Sequence, residues 1–408
     1  MNTEKEAFEN ACKFVIRLGT FAHRYGVQAR RLETYLSRVV RTLGYNGVFR
    51  STPAEIVFAF RQNDELWHKT HIVYMPGTGF DLSRLAKVGE LVTALEAGGI
   101  SLTEAVARLD VIDKMPPPYG KFIVALGYAL SGAGFAGFLK CGVADIVLSA
   151  ILSIVVYIII LCAEKLPERF EQWTPFLCAF ITGVTAALIS IRLPEIQVYL
   201  ITLSAVIYLV PGFTISNGVI ELTCKYVNSG VSNIVNGLVY LALLFAGAWS
   251  GISMVRHFFP VNFVPPAAVS ANLIWIFAMI MAAGLCFVFQ TPKRDFLWAI
   301  AGCAITCGGI ILGEAVAGIN FGNFLGTVLA VIFANIWSVK TNRSVSLVLL
   351  PSIVFLVSGS IGFRGFVNLS AGNTGLGQQE FIRMFVVALS IAAGLIVGNI
   401  IYKPKITL

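Results

Sequence analysis

The sequence has few charged residues and almost no histidine. Charged side chains make up 13% of the 408 residues and hydrophobic ones 57%, whereas a soluble protein carries roughly 25% charged residues. The apolar residues come in blocks of about 17–24, long enough to cross a bilayer core of about 30 Å. With four histidines and no Cys-x-x-Cys spacing among the eight cysteines, we predict neither a metal site nor a cofactor. The composition predicts a polytopic membrane protein.

Most of the charge lies near the start of the chain. Residues 1–114 hold 15 Lys or Arg and 13 Asp or Glu, more than half of the total. Their pattern predicts a small soluble α+β domain, with helices within 5–43 and 81–109 and strands within 47–74. The net charge of +8 is dispersed, so it does not indicate nucleic-acid binding. The opening MNTEKEAFENACKF lacks the apolar stretch of a signal peptide, so we expect this domain in the cytoplasm.

Ten apolar segments follow this domain. They lie at about 119–139, 142–163, 175–191, 196–213, 231–254, 271–289, 296–313, 322–338, 346–362 and 382–402. The loops expected inside hold Lys165, Arg169, Lys225, Lys293, Arg294, Lys340, Arg343, Lys403 and Lys405. The external loops hold fewer basic residues, namely Lys140, Arg192, Arg256, Arg364 and, at the edge of a segment, Arg383. This bias predicts a multi-pass protein of the cell (plasma) membrane with cytoplasmic N- and C-termini.

The segments divide into two halves of five, 115–255 and 270–408, joined by a linker at 256–269. The fourth segment of the first half contains LVPG at 209–212, and the fourth of the second contains LVSG at 356–359. An odd number of segments reverses the orientation of the second half. We therefore predict a membrane all-α fold, with ten transmembrane helices as two inverted five-helix repeats that carry interrupted helices.

The stretch YLVPGFTISNGVIEL (208–222) places polar side chains directly after the first interruption. Asn217 and Glu221 are four residues apart and so share one helix face. The N-terminus of the helix after the break suits a carboxylate, whereas Glu221 suits an ammonium group or a proton. The same spacing also fits a simple kink with Glu221 hydrated at the membrane interface.

Two other classes of membrane protein compete with a transporter. An intramembrane enzyme is disfavoured because the chain has neither a GxSG nor a GxGD motif, so we predict no enzymatic activity. A channel or sensor gated by the soluble domain is the second alternative. The glycine-rich stretch 302–326 suits helix packing within one chain or between chains, which leaves a homo-oligomer open.

The order of motifs resembles the threonine/serine exporter (ThrE) family. In that family a VPG is followed by Asn–Gly, an acidic residue and Asn-x-Gly; here they are LVPG, Asn217-Gly218, Glu221 and Asn228-Ser229-Gly230. Pro118-Tyr119 and Gly142 with Asp145 also match. Further matches are HRYGVQARRLETYLSRVVRTLG and FDLSRLAKVGELV in the first domain, and FVFQTPKRD, IWSVK and LPSIVFLVSGSIGFRG in the second half. The resemblance covers essentially the whole chain.

The chain departs from the family pattern at three positions. Glu221 stands where the family usually has Asp, Ser358 replaces the proline of a second VPG, and Asn233 replaces a common arginine. The resemblance implies export of threonine and serine from the cytoplasm, driven by the proton gradient. Some members with two separate chains are proposed to export dicarboxylates such as succinate, so that substrate is the alternative.

The paired interruptions and the resemblance together lead to a site hypothesis. The expected substrate-binding residues are Pro211, Gly212, Asn217, Ser358 and Gly359. Glu221 is expected to couple transport to the proton or to the ammonium group of the substrate. Asp145 and Asn228 are expected in supporting roles. The expected partners are a small amino acid and the lipid bilayer.

Overall fold

The computed structural model describes residues 2–62, 68–75, 79–167, 172–260, 268–356 and 358–403, and the protein is mostly helical there. Part of the predicted linker (261–267), Val357 of the second LVSG, and the loop residues Arg169 and Lys405 lie outside the described residues. The chain forms an N-terminal region, residues 2–114, and a helical region that begins at Lys121.

The N-terminal region has the predicted α+β character. Its elements are α1 (Asn2–Arg24), α2 (Ala29–Thr42), β1 (Asn46–Ser51), β2 (Glu55–Arg61), β3 (Lys69–Tyr74), α3 (Leu82–Glu96) and α4 (Leu102–Lys114). The three strands form an antiparallel sheet in the order β1-β2-β3. Alternate residues of β2, such as Ile56 and Phe58, are fully buried against the helices, as period-two alternation requires. Ser101 caps α4 by accepting a hydrogen bond from the Glu104 N–H at 3.2 Å.

The helical region contains twelve described α-helices. They are α5 (Lys121–Phe138), α6 (Val143–Ala163), α7 (Thr174–Ser190), α8 (Val198–Ala205), α9 (Gly212–Thr223), α10 (Val227–Phe258), α11 (Ile274–Val288), α12 (Phe296–Ala317), α13 (Ile319–Thr341), α14 (Ser346–Val354), α15 (Ser358–Ser370) and α16 (Thr374–Ile401). Among the described residues, seven stretches are long and apolar enough to cross a membrane. Six are single helices, namely α5, α6, α10, α12, α13 and α16, and the seventh, Ser346–Ser370, comprises α14 and α15. The bent pair 198–205 and 207–223 raises this number to eight. The apolar helices α7 and α11 are shorter.

Three contacts between helices of the first half have counterparts in the second. Helix α7 packs on α10 and α13 on α16; α6 packs on α8 and α12 on α14; α9 packs on α10 and α15 on α16. Between the halves, α5 packs on α11, while α9 contacts α16 and α10 contacts α15. The glycines of 302–326 serve packing within the chain, because Gly309 lies against Gly326 and Gly313 against Gly322.

The N-terminal region packs on one end of the helical region. Arg30 Nη1 lies 3.3 Å from Cys224 Sγ, and Arg31 Nη1 donates to Ser346 Oγ at 2.7 Å. The Leu82 N–H donates to the Phe289 carbonyl at 3.0 Å. Burial, with Arg30 nearby, lowers the pKa of the Arg31 guanidinium to about 10, so it stays charged at neutral pH. These contacts touch loops of both halves.

Candidate functional site

The predicted interruption at LVPG is present in the structure. Helix α8 ends at Ala205, a short 3₁₀ turn follows, and α9 begins at Gly212 with Pro211 as its N-cap. The helices on the two sides of the break are bent by 63°. The Gly212 N–H donates to the Val210 carbonyl at 2.8 Å. The first turn of a helix leaves N–H groups without intrahelical partners, so the N–H groups that follow Gly212 are backbone donors suited to an anionic group.

The two interruptions touch each other. A Cβ added at Gly212 would lie 2.7 Å from the Gly359 nitrogen, and one added at Gly359 would lie 2.7 Å from the Gly212 nitrogen. Ser358 Oγ donates to the Gly212 carbonyl at 3.1 Å, and it lies 3.0 Å from Ser216 Oγ. Only glycine permits such a close approach of two backbones. The structure thus brings together four of the predicted residues: Pro211, Gly212, Ser358 and Gly359.

Glu221 is buried on the face of α9 that meets α10. It is 2% exposed, and both of its oxygens accept hydrogen bonds from neutral amides. Asn217 Nδ2 donates to Oε1 at 3.3 Å and Asn233 Nδ2 to Oε2 at 2.8 Å. A buried carboxylate costs several kcal/mol unless it is well paired, so one that lines a cavity is a candidate functional group. The arrangement suits a carboxylate that exchanges a proton or a cation.

Two cavities lie beside these residues. One of about 730 Å³, which we call the break cavity, is lined by 207–214 together with Tyr128 and Asn236. The other, of about 530 Å³, we call the Glu221 cavity; it is lined by Asn217, Glu221 and Ser229 and by residues of the N-terminal region. Phe80 and Phe213 line both cavities, and their rings meet edge to face with centroids 5.7 Å apart. Thr214, Asn236 and Tyr240 also line both, so the two cavities adjoin each other.

The break and Glu221 are too far apart to hold one small amino acid together. Nine residues separate Gly212 from Glu221, which is about 13 Å along a helix axis. The carboxylate and ammonium groups of an amino acid share one carbon atom. The predicted site residues therefore divide into two positions, with Pro211 and Gly212 at the break cavity and Asn217 and Glu221 at the Glu221 cavity.

The two residues expected in supporting roles lie elsewhere. Asp145 is buried, and its carboxylate accepts from the Gly142 N–H and the Gln197 N–H, both at 2.9 Å. It therefore caps α6 and joins that helix to the start of α8. Glu164, at the other end of α6, lines the break cavity. Asn228 is exposed, whereas its neighbour Ser229 is buried and lines the Glu221 cavity.

Several residues of the site were not predicted. Ser229, Asn233, Asn236 and Tyr240 all line the Glu221 cavity from α10. Their spacing of four, three and four residues places them on one helix face, so a polar stripe in an apolar helix was the available signal. The contributions of the N-terminal region, such as Phe80, carry no comparable pattern because they depend on tertiary packing.

Two family profiles match this chain. One described as "Putative threonine/serine exporter" matches residues 13–255. One described as "Threonine/Serine exporter, ThrE" matches residues 274–401. The chain belongs to the threonine/serine exporter family, a family of membrane transporters, as its motifs predict. Family membership implies a small-molecule substrate and a membrane environment.

The similar curated proteins are distant. An uncharacterized protein of Schizosaccharomyces pombe is 22% identical over 424 residues, covering 96% of this chain and 55% of that protein. A probable threonine/serine exporter of Mycobacterium tuberculosis is 21% identical over 342 residues, covering 79% of this chain and 63% of that protein. The chain thus spans less than two thirds of the length of either relative. No solved structure matches it.

Proposed function

We propose that this protein exports threonine and serine from the cytoplasm across the plasma membrane by exchange with protons. The observation that carries this proposal is the carboxylate of Glu221, buried beside an interrupted helix and held by two neutral amides. Such a carboxylate can bind either a proton or the ammonium group of a substrate that has moved on from the break cavity, and competition between the two couples their movements. A dianion such as succinate would be repelled by Glu221, so a zwitterion fits better.

We propose ten transmembrane helices arranged as two inverted repeats. The seven long spans, the bent pair 198–223 and the shorter α7 and α11 add up to ten segments at the predicted places. The matching helix contacts of the two halves and the meeting of their interruptions at Gly212 and Gly359 support the repeat. Residues 1–114 are then a cytoplasmic domain, and 115–255 and 270–408 are the two halves, joined by 256–269.

The orientation that we propose has both termini in the cytoplasm. Basic residues predicted to be cytoplasmic occur in the loops around Lys225, Arg294 and Arg343. The N-terminal region packs next to these same loops, through Cys224, Phe289 and Ser346. The agreement between basic charge and the packing of the N-terminal region supports one common cytoplasmic end.

Within this transporter we assign the substrate to the break cavity and the coupling to Glu221. The N–H groups of the first turn of α9 that follow Gly212 bind the substrate carboxylate, and Gly212 and Gly359 hold the two interruptions in contact. Asn217 keeps the Glu221 carboxylate in position through its amide. A cavity of about 730 Å³ falls in the range of small-molecule sites and is roomy for one amino acid.

Counterflow of radiolabelled threonine in proteoliposomes tests the proposal, with serine and succinate as competitors and an imposed pH gradient. We expect saturable exchange, accelerated by the gradient and inhibited by serine. Glu221→Gln should lose the acceleration because an amide cannot exchange a proton, whereas Glu221→Asp should keep it. If the Glu221→Gln protein keeps the wild-type rate and pH dependence, Glu221 does not couple transport to protons. Succinate exchange without threonine exchange would show that the substrate is a dicarboxylate. Non-saturable flux would indicate a channel.

A further inference from the structure

The Glu221 cavity has walls from both regions of the protein. The helical region contributes Asn217, Glu221 and Ser229. The N-terminal region contributes His23, near the end of α1, and Ser51, at the end of β1. The space is therefore complete only when the N-terminal region is docked on the helices.

Four side chains that line this cavity carry buried polar atoms without a hydrogen-bond partner in the described part of the chain. The atoms are Asn217 Oδ1, Ser229 Oγ, Ser51 Oγ and His23 Nδ1. Their residues are between 4% and 7% exposed. Buried polar atoms in folded proteins are nearly always paired. Four unpaired atoms around one space, two from each region, indicate a ligand that the cavity is built to bind.

The neighbours of these atoms define their chemistry. His23 Nε2 lies 2.8 Å from the Thr52 carbonyl, so Nε2 carries the proton and donates it. Because burial lowers the pKa of His23, the ring is neutral and its Nδ1 is an acceptor. Asn217 donates its amide to Glu221, which leaves Oδ1 as an acceptor too. The cavity thus offers the Glu221 carboxylate, two neutral acceptors and two hydroxyl groups.

A primary ammonium group matches this set, since it has three N–H donors and a positive charge and accepts no hydrogen bond. We propose that the Glu221 cavity is a second ligand site, which binds the ammonium group of the exported compound, and that Ser51 and His23 of the N-terminal region are among its binding residues. This inference rests on the proposed function for the identity of the compound. The site adjoins the break cavity, and Phe80, Phe213, Thr214, Asn236 and Tyr240 line both spaces.

Ser51 is held firmly enough to bind a ligand. Its N–H donates to Glu33 Oε1 at 2.9 Å, and its strand pairs with β2, with Ser51 opposite Ile56. Ser51 therefore lines the cavity from a fixed backbone. Fixed donors and acceptors lose little conformational entropy when a ligand binds, so removal of the hydroxyl should weaken binding directly.

Binding to the full-length protein in lipid nanodiscs tests the inference. Equilibrium dialysis with radiolabelled L-threonine, and separately with ethanolamine, measures Kd for wild type, Ser51→Ala, Ser229→Ala and Ser51→Thr. Ethanolamine has the ammonium group without the carboxylate. Loss of one hydrogen bond should raise Kd about threefold to tenfold in the two alanine variants. Ser51→Thr keeps the hydroxyl and should bind within about twofold of wild type, which also controls for folding.

Ser37→Ala is the matched control in the N-terminal region, because Ser37 Oγ bonds to the Glu33 carbonyl and Ser37 does not line the Glu221 cavity. It should leave Kd unchanged. If Ser229→Ala weakens binding while Ser51→Ala does not, Ser51 is not a binding residue and that part of the inference is wrong. If ethanolamine binding depends on Ser51 but threonine does not bind, the ammonium site is supported and threonine is not the substrate. If wild type binds neither compound, the inference is wrong.

Discussion

At the scale of single residues, Glu221 and His23 show how burial affects what a side chain can bind. Glu221 has two amide donors, and the nearby Asn233 stands where the family commonly has an arginine. A neutral amide leaves the carboxylate free to attract a cation from the cavity, whereas an arginine would already satisfy it. Asparagine in place of arginine at position 233 therefore favours reversible binding of a cation by the Glu221 carboxylate.

His23 gives a prediction on pH. Burial lowers its pKa, only partly offset by the bond to the Thr52 carbonyl, so the folded protein resists protonation there. The unfolded chain takes up that proton below about pH 6.5, and stability present above this pH is lost as the pH falls. Thermal unfolding of wild type and His23→Gln at pH 7.5 and 5.5 should therefore show a larger acid-induced drop for wild type. Equal drops would contradict this account.

Spacing in the sequence was enough to pair Asn217 with Glu221, because both lie on one helix and the i, i+4 rule applies. Asn233 and Ser51 were missed for a physical reason. Each reaches the site from another element, and only the packing of α9 against α10 and against the N-terminal region brings them there. Contacts of this kind leave no periodic pattern in the chain.

At the scale of elements, the contact between the two interruptions is the most sensitive feature. In Gly212→Ala or Gly359→Ala, the new methyl group would lie 2.7 Å from a backbone nitrogen. Backbone atoms cannot turn aside as a side chain does, so the interruptions must separate, at a cost of about 1–3 kcal/mol. We expect either variant to lower the thermal midpoint and to abolish most of the threonine counterflow.

Gly120→Ala is the matched control for these variants. Gly120 directly precedes α5, and a Cβ there would meet no atom within 4 Å. It should retain the wild-type midpoint and flux. Counterflow that survives Gly212→Ala at full rate would mean that the two interruptions need not touch during transport.

The two interruptions were predicted from LVPG and LVSG, because proline and glycine disfavour a continuous helix. In the second half, α14 ends at Val354 and α15 begins at Ser358, yet Ser346–Ser370 counts as one apolar span, whereas the first break is bent by 63°. The sequence did not predict that Gly212 would face Gly359. That contact depends on how the halves pack, which the order of residues in either half does not reveal.

At the scale of the whole molecule, the proposed topology can be measured. Single cysteines at Lys140 and Arg192 are expected to react from outside the cell, and those at Lys165 and Lys225 only from the cytoplasm; all four positions are exposed. Membrane-impermeant maleimide on intact cells and on opened cells distinguishes the two sides, with the parent protein correcting for its own cysteines. Labelling of Lys225→Cys from outside would reverse the orientation.

The N-terminal region contacts loops of both halves, through Arg30 at Cys224 and through Arg31 and Leu82 at Ser346 and Phe289. It therefore ties the two halves together without a covalent bond. The halves would stay assembled if the chain between them were interrupted. The same contacts would oppose a rocking of one half against the other.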